Sequence, residues 1–431
     1  MSLSLLRLLE QDLRALSEVR DARKYPEVKE AAERALLKLR SIAKALPPDA
    51  SAADQAAAVA SADEEAAVML VPFMLALASN SSALPLSALG AVQRMISHNA
   101  VAPQRLPTVT SQLIARAQLP SADESSLLKV LQTVLTIASS PALLYSDTTV
   151  SQLLLLCLTL QQSRSAVIKN TASASVQQFV ALLLDAVAEE RPASGKATPP
   201  KPADGPIQPP SAQLLASLTV AARCAFMAVQ DLSLLANSEP ALWLPGSGPV
   251  SATFAFEVIN GVLVSHAPLF TTFEPFRFLL RERCCSLVLK SMQLTAQEWP
   301  MALRLAHLTS ILLSKYAAVL RTESEILLSM LTKTAASESA PVWQRVLALE
   351  ACRVVAADPD LLRHLFESYD KHAPPAHVFA AFTSATCALL KSPTLAFQSR
   401  ADPIETHFLH HHRATVSARG LSFNAALYSD P

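Results

Sequence analysis

Residues Arg14–Arg40 have the sequence RALSEVRDARKYPEVKEAAERALLKLR, in which two amphipathic patterns meet at Tyr25-Pro26. In the first pattern, which begins upstream, leucines recur at three- and four-residue steps; they are Leu6, Leu9, Leu13 and Leu16. The residue before a proline disfavours the α region, whereas proline itself suits the first turn of a helix. The second helix is therefore predicted to begin at Pro26, and its apolar stripe comprises Val28, Ala32, Ala35, Leu39, Ile42 and Leu46. The two helices are predicted to form a hairpin.

Apolar helical segments separated by short polar or proline breaks continue along the chain. Before residue 191, helices are predicted at Glu64–Ser79, Leu86–His98, Thr108–Gln118, Glu124–Ser139, Thr149–Gln161 and Ala166–Glu190. After residue 211 they are predicted at Ala212–Asn237, Val250–Ala267, Pro275–Met292, Trp299–Leu320, Glu323–Ala335, Val342–Ala356, Asp360–Tyr369 and Ala376–Lys391. Asp358 and Pro359 offer an N-cap and a first-turn proline. This succession predicts an all-α fold, an armadillo/HEAT-like α-solenoid of stacked helical hairpins.

Composition supports a helical fold and excludes several classes of protein. Apolar residues make up 51% of the chain and aromatics only 5%, so Leu, Ala and Val must fill the core. Seven glycines are too few for a protein rich in β-hairpins or phosphate-binding turns. Because the formal net charge is zero, no global positive field is available to bind nucleic acid, and none is expected as a partner.

The stretch 191–211 differs from the helical segments on either side. It contains seven prolines and almost no apolar residues, so it cannot bury enough surface to offset the entropy of ordering. A flexible Pro-rich linker is predicted there, between a helical domain at 1–190 and a second helical domain at 212–392. After residue 392 the periodicity fades, which predicts a poorly ordered tail over 393–431.

Cysteine usage and the lack of a signal sequence indicate a cytosolic chain, or one peripheral on a membrane. No C-x-x-C pair occurs, and each cysteine lies in an apolar helical context that suits a reduced, buried thiol; they are Cys157, Cys224, Cys284, Cys285, Cys352 and Cys387. Charged residues from Arg7 to Arg14 replace the apolar stretch that a signal peptide needs. The longest apolar runs, Ala66–Ala78 and Leu153–Leu160, are too short to span a bilayer.

Sequence patterns of enzymes are missing. The chain contains no G-x-x-x-x-G-K-[ST], H-E-x-x-H or G-x-S-x-G motif, so no catalytic residue, cofactor or metal site is predicted. His407 and His410–His412 lack a nearby cysteine or carboxylate partner, which leaves adventitious metal affinity as the minor alternative. The three tryptophans lie in apolar runs, where core packing or an interface explains them better than catalysis.

Several strings carry a resemblance to a known family. Besides Arg14–Arg40, they are QRMISH (Gln93–His98), LLKVLQTVL (Leu127–Leu135), NTASASVQQFV (Asn170–Val180), AFMAVQDLSLLANSEPALWL (Ala225–Leu244), FLLRERCCSLVLK (Phe278–Lys290) and PVWQRVLALEACRVVAADPDLLRHLFESYD (Pro341–Asp370). In this order they resemble the trafficking family that contains the large Arf guanine-nucleotide exchange factors and a monensin-sensitivity branch. The block before the linker resembles the dimerisation and cyclophilin-binding (DCB) domain. The block after it resembles the domain homologous upstream of the exchange domain (HUS).

Two features favour the monensin-sensitivity branch. One is the string from Gln230 to Leu244; the other is Ser368-Tyr369-Asp370-Lys371-His372, where exchange factors usually have Asn-Tyr-Asp-Cys-Asp. That branch lacks an exchange domain, so the resemblance implies a non-enzymatic scaffold or adaptor, peripheral on trans-Golgi and endosomal membranes. It implies as partners a Dopey-family protein, Arf and Arf-like small GTPases and a phospholipid flippase system, together with homodimerisation through the DCB block. The alternatives are the regulatory N-terminal half of a true Arf exchange factor, which an exchange domain after Pro431 would decide, and a generic armadillo cargo adaptor.

Three groups of residues are candidate contacts. Asn170 resembles a repeat-stabilising asparagine whose buried amide bonds a neighbouring repeat, with a partner contact as the alternative. Ser368, Tyr369 and Asp370 resemble a HUS box that either stitches together the end of its domain or holds the two domains or a partner in register. The third group is a basic set on the second helix, either a solvated, salt-bridged face or a weak anionic-lipid patch; it comprises Lys29, Arg34, Lys38, Arg40 and Lys44.

Overall fold

The computed structural model describes residues 5–18, 24–47, 49–66, 68–81, 83–120, 122–190, 208–293, 298–337, 339–371 and 377–391. Regular structure in these ranges is helical throughout, without a strand, which confirms the all-α prediction. The helices up to residue 190 are α1 (Leu5–Glu18), α2 (Pro26–Ala45), α3 (Ala52–Ala66), α4 (Val71–Ala78), α5 (Leu84–Ser97), α6 (Leu106–Gln118), α7 (Glu124–Ala138), α8 (Asp147–Leu160) and α9 (Ala166–Glu190). The later helices are α10 (Ala212–Ser217), α11 (Val220–Ala236), α12 (Ala252–Ser265), α13 (Ala267–Thr272), α14 (Glu274–Phe278), α15 (Ser286–Met292), α16 (Trp299–Tyr316), α17 (Arg321–Ala336), α18 (Val342–Ala356), α19 (Pro359–Leu365) and α20 (Val378–Lys391).

Tighter and wider helical turns join some of these helices. Short 3₁₀ segments occur at Pro103–Arg105 and Pro141–Tyr145. Two π-helical segments occur at Leu279–Cys285, between α14 and α15, and at Phe366–Asp370, directly after α19. Because π-helical turns are rare and often lie at functional sites, the two segments are natural places to look for one.

Contacts divide the chain into two compact units. Unit 1 comprises Met1–Val187, Leu218–Ala228 and Leu242–Gly248, and unit 2 comprises Ala188–Ser217, Val229–Ala241 and Pro249–Pro431. Two short segments that follow the predicted linker are therefore members of unit 1. Most of the predicted linker (191–207) and the whole predicted tail (393–431) lie outside the described residues.

Seven helices of unit 1 form two rows. α2, α4, α6 and α8 contact one another in turn, while α1, α5 and α7 form a second row. Within each row, successive helices therefore pack side by side, as they do in a helical solenoid. The predicted hairpin of α1 and α2 is present. Leu5, rather than the predicted Leu6, joins the buried leucine stripe of α1, and Leu46 is only half-buried at the end of α2.

In unit 2, α12, α16 and α18 contact in turn, and α17 packs against both α18 and α20. The buried Tyr316 hydroxyl on α16 donates a hydrogen bond to the Leu263 carbonyl oxygen, 2.7 Å away, near the end of α12. Trp299 and Trp343 meet edge to face, with ring centroids 5.6 Å apart, between α16 and α18. Aromatic and hydrogen-bond contacts thus reinforce the aliphatic core of this unit.

Local chemistry accounts for several helix boundaries. α2 begins at Pro26 as predicted, and α19 begins at Pro359, the predicted first-turn proline, one residue before the predicted helix Asp360–Tyr369. The Asp358 carboxylate accepts hydrogen bonds from the backbone N–H groups of Asp360 (3.1 Å) and Leu361 (3.0 Å), which caps α19.

Several predicted helices are interrupted or end earlier than predicted. The predicted helix Glu64–Ser79 is interrupted, and the alanine-rich α3 before it was not predicted because it has no clear apolar periodicity. In the last turn of α3 the buried Asp63 carboxylate accepts hydrogen bonds from the N–H groups of Met69 (2.9 Å) and Leu70 (3.0 Å), which closes the turn between α3 and α4. The predicted helix Ala212–Asn237 is divided into α10 and α11, and the predicted helix Val250–Ala267 ends at Ser265. The predicted helices Pro275–Met292 and Asp360–Tyr369 each include π-helical turns, and the predicted helix Trp299–Leu320 ends at Tyr316.

The cysteines are buried with one exception. Cys157, Cys224, Cys284, Cys285 and Cys352 are buried, and burial raises the pKa of the Cys157 thiol to about 12. Cys387 is exposed on α20, so the prediction of a buried thiol was wrong there.

Among the described helices, α9 alone is long and apolar enough to cross a membrane, judged by length and composition alone; its mean hydropathy is 1.3. Inspection of continuous apolar runs missed it because polar residues interrupt the helix. Core helices of soluble proteins pass the same test, and α9 buries one side in unit 1, from Ile168 to Val187.

Candidate functional site

Tyr369 lies at the centre of a polar cluster in unit 2. It belongs to the π-helical segment after α19, and only 3% of the residue is exposed. Its hydroxyl donates a hydrogen bond to the backbone carbonyl of Arg321, the first residue of α17. The Arg321 guanidinium lies 5.8 Å from the centroid of the Tyr369 ring and donates to the Ser368 carbonyl oxygen at 2.9 Å. Burial raises the pKa of Tyr369 to about 12, so the phenol remains a neutral hydrogen-bond donor.

Asp370 connects the same segment to α20. One carboxylate oxygen accepts a hydrogen bond from Phe379 N–H (3.1 Å), and the other accepts from Ala380 N–H (2.9 Å). These donors lie in the first turn of α20, where backbone N–H groups have no partner within the helix. Tyr369 and Asp370 thus join the start of α17, the end of α19 and the start of α20, which favours the interpretation that they stitch this end of the domain.

A second contact reaches the first turn of α17 from the other π-helical segment. Arg281 in Leu279–Cys285 donates through Nε to Glu323 Oε1 at 2.8 Å, and the two side chains are only 10% and 14% exposed. Both π-helical segments therefore contact the same turn of α17. Sequence reasoning missed Arg281, Arg321 and Glu323. One signal was available for Arg281, because LLRERCC places charges between apolar residues, and a charge that becomes buried there needs a partner.

The basic residues of α2 lie in unit 1 in a different environment. Lys29 pairs with Glu33 at 3.8 Å, and Arg40 pairs with Glu10 at 3.5 Å. Arg34 donates to the Glu30 carbonyl oxygen at 3.4 Å.

The remaining members of this set are Lys38, which is half-buried, and Lys44, which is exposed in the last turn of α2. Intramolecular ion pairs thus offset part of the basic charge, as expected for a solvated, salt-bridged face. Leu37 is 66% exposed on the same helix, a feature that the sequence pattern did not predict.

Asn170 is exposed on α9. The helix turns Ile168 and Ala172 into the core of unit 1, so the side chain between them faces away from it. The interpretation of Asn170 as a buried, repeat-stabilising amide was therefore wrong, because helical phase places it outside. A partner contact is the alternative role and stays a prediction.

Within the described residues, no group of three or more His, Cys, Asp or Glu side chains could hold a metal ion. His407 and His410–His412, the histidines with at most adventitious metal affinity, lie outside the described residues.

Comparison with protein families identifies both halves of the chain. Residues 1–191 match the Mon2/Sec7/BIG1-like dimerisation and cyclophilin-binding (DCB) domain. Residues 221–378 match the Mon2/Sec7/BIG1-like HUS domain. The two matches share one family description and follow one another in the order that the sequence resemblance implied.

Curated relatives agree with the family match. The chain is 29% identical to Protein MON2 homolog of Xenopus laevis over 89% of its own length and 22% of the relative. It is 29% identical to Protein MON2 homolog of Homo sapiens over 90% of its length, and 24% identical to Protein MON2 of Saccharomyces cerevisiae over 75%. The chain thus spans about a fifth of the length of these relatives, which it covers over 22%, 22% and 20%. It belongs to the Mon2/Sec7/BIG1-like family and carries that family's DCB and HUS domains.

Proposed function

We propose that this chain is a non-enzymatic scaffold for membrane trafficking between endosomes and the trans-Golgi network. The observation that carries the proposal is the succession of DCB and HUS domains, together with relatives named MON2. Stacked helices offer extended surfaces of fixed shape, which suit the simultaneous binding of several proteins. The proposed site of action is the cytoplasmic side of trans-Golgi and endosomal membranes, where the chain is peripheral.

The proposed partners are a Dopey-family protein, Arf or Arf-like small GTPases and a phospholipid flippase system. No cofactor is required. Homodimerisation through the DCB domain is also proposed, in line with the description of the matched domain. On α9, Asn170 and the exposed Val167 one turn before it are candidates for a partner contact. In unit 2, the Tyr369 cluster holds α17 and α20 together and so keeps the surface formed by these helices in shape.

Direct contact with anionic lipid is proposed to be weak. Arg34, Lys38 and Lys44 make no ion pair with the described residues, whereas Lys29 and Arg40 do. A basic side chain near an anionic leaflet contributes about 1 kcal/mol, and this falls off within roughly 8 Å at physiological salt. Stable recruitment would therefore need a protein partner as well.

A test of the scaffold proposal measures binding and nucleotide release together. Arf and Arf-like GTPases loaded with a fluorescent nucleotide are mixed with the chain, with a known exchange domain as positive control. We expect at least one GTPase to bind the chain without faster nucleotide release, because the matched domains are DCB and HUS. Faster nucleotide release in the presence of a substoichiometric amount of the chain would overturn the proposal.

The alternative is the regulatory N-terminal half of a true Arf exchange factor. The family description favours it to the extent that it names Sec7 and BIG1 beside Mon2. The two candidates are separated by sequencing the transcript downstream of Pro431, since an exchange domain there would establish the alternative.

A further inference from the structure

We infer that the outer face of α2 docks antiparallel on α2 of a second copy of this chain, about a two-fold axis at Leu37. The inference rests on the self-association that is part of the proposed function, and it names the surface and the pairs that make it. A two-fold interface uses the same patch on both subunits, so the patch must be complementary to itself.

The centre of the patch is apolar. Leu37 is 66% exposed, more than any other large hydrophobic residue in the described ranges, and it lies in the middle of α2. The opposite side of the helix is buried in unit 1, from Val28 to Ile42. The residues one turn from Leu37 on its own face are exposed and polar; they are Glu33, Arg34, Arg40 and Ser41. An apolar centre with a polar rim is the usual anatomy of a protein interface.

Charge along this face is ordered. Glu30 and Glu33 precede Leu37, whereas Arg40 and Lys44 follow it. Arg34 also precedes Leu37, but it lies on the other side of the face from Glu33 and Arg40, so in an antiparallel pair it lies beside Ser41 of the second copy. In an antiparallel pair centred on Leu37, a residue before Leu37 on one helix lies opposite a residue equally far after it on the other. Glu30 and Lys44 are each seven positions away, so they face one another. Glu33, four positions before, lies beside Arg40, three positions after. The symmetry repeats both pairs.

The helix dipole and an anionic membrane each account for only part of this face. Acidic residues early and basic residues late in a helix suit the dipole, as with Glu27 and Lys44, but the dipole does not explain an exposed leucine between them. An anionic membrane would attract Arg40 and Lys44 but would repel Glu30 and Glu33. A second copy satisfies both halves of the face and covers Leu37.

The test uses Glu30 and Lys44, since neither side chain forms an ion pair with the described residues. Reversing the charge of either residue therefore leaves the Arg40–Glu10 and Lys29–Glu33 ion pairs in place. Glu30→Lys and Lys44→Glu each place like charges opposite one another twice per dimer. We expect each variant alone to self-associate about tenfold more weakly than the unaltered chain, as judged by sedimentation across a range of concentrations. An equimolar mixture of the two should recover the original association, because each mixed dimer contains two opposite-charge pairs.

Leu37→Glu should abolish association, and Leu242→Glu is the matched control, since Leu242 is 63% exposed in unit 1 and lies outside α2. If the unaltered chain dimerises but the mixture does not recover, the α2 face is the wrong surface, although self-association stands. If the unaltered chain is a monomer at every concentration, both the inference and the proposed homodimerisation fail, while the GTPase-binding assay still tests the scaffold. The face would be assigned to lipid instead if Glu30→Lys strengthened flotation with anionic vesicles, Lys44→Glu weakened it, and neither variant changed the mass of the assembly.

Discussion

The outer face of α2 and the cluster around Tyr369 use the same kinds of side chain in opposite ways. On α2, Arg40 and Glu10 are 3.5 Å apart, and both side chains are substantially exposed, at 54% and 31%. Around Tyr369, Arg281 and Glu323 are 2.8 Å apart and almost wholly buried. An arginine and a glutamate in the first setting are open to water and to another molecule. In the second setting they bind one another and hold helices of unit 2 together.

Solvent explains this difference. An exposed ion pair is screened by water and salt and contributes about 0–1 kcal/mol. A buried charge that loses its partner keeps its desolvation cost, so breaking such a pair is far more harmful than the net stability of the pair suggests. The predicted contact residues therefore divide into a set suited to binding, on α2, and a set suited to internal structure, around Tyr369.

The largest expected effect is at Tyr369. Tyr369→Ala removes a buried ring and its hydrogen bond to Arg321, and we expect the free energy of unfolding of unit 2 to fall by about 3–5 kcal/mol. Tyr369→Phe keeps the ring and should cost only about 1 kcal/mol. Urea unfolding of the full chain, combined with hydrogen exchange in α17 and α20, measures both. Equal effects of the two substitutions would mean that the ring does not anchor these helices.

The next effect separates buried from exposed arginines. Arg281→Ala leaves Glu323 without its partner and should destabilise unit 2 by about 3 kcal/mol. Arg363 pairs with Asp360 at 3.1 Å on the surface of the same unit, so Arg363→Ala should change stability by less than about 0.5 kcal/mol. Both variants are compared by urea unfolding. Similar losses would mean that burial does not determine the cost of removing an arginine from its carboxylate.

In unit 1, an ion pair of intermediate exposure joins Arg223 to Asp147. The Arg223 guanidinium donates two hydrogen bonds, of 2.6 and 2.8 Å, to the Asp147 carboxylate. These bonds keep the pKa of the Asp147 carboxyl below its ordinary value. The stability from the pair is therefore fully present above the ordinary pKa of about 3.9 and is lost as pH falls through the lower, folded value.

We expect Asp147→Asn to destabilise unit 1 at pH 7 by less than about 1 kcal/mol, since both side chains are partly exposed. At acid pH below the folded pKa, the difference from the unaltered chain should vanish. Chemical unfolding of both chains at a series of pH values measures this difference in stability. A difference that grows as pH falls would contradict the expected pH dependence.

The smallest effect on stability is expected on the α2 face. Leu37→Ala and Lys44→Ala remove exposed side chains and should each change the free energy of unfolding by less than about 0.5 kcal/mol. Their effect should appear in the mass of the assembly rather than in thermal or urea unfolding. A large loss of stability in the monomer would show that this face is structural, like the Tyr369 cluster.

Interactions within about one helical turn could be predicted from the sequence. The start of α2 at Pro26 and the cap of α19 by Asp358 depend on neighbouring residues, and both are present. The division between α3 and α4 was not predictable in this way, because it depends on Asp63 accepting hydrogen bonds from Met69 and Leu70 after the chain has turned.

By itself, the sequence determined that the chain is helical, where most helices lie, and to which family it belongs, because periodicity, caps and ordered strings are local properties. The tertiary structure alone decided where exposure departs from the amphipathic pattern. It exposed Asn170 and Leu37, and it buried Arg281 against a glutamate 42 positions later in the chain. Exposure at these positions depends on helices that are distant in the sequence and adjacent in space, so the local pattern does not determine it there.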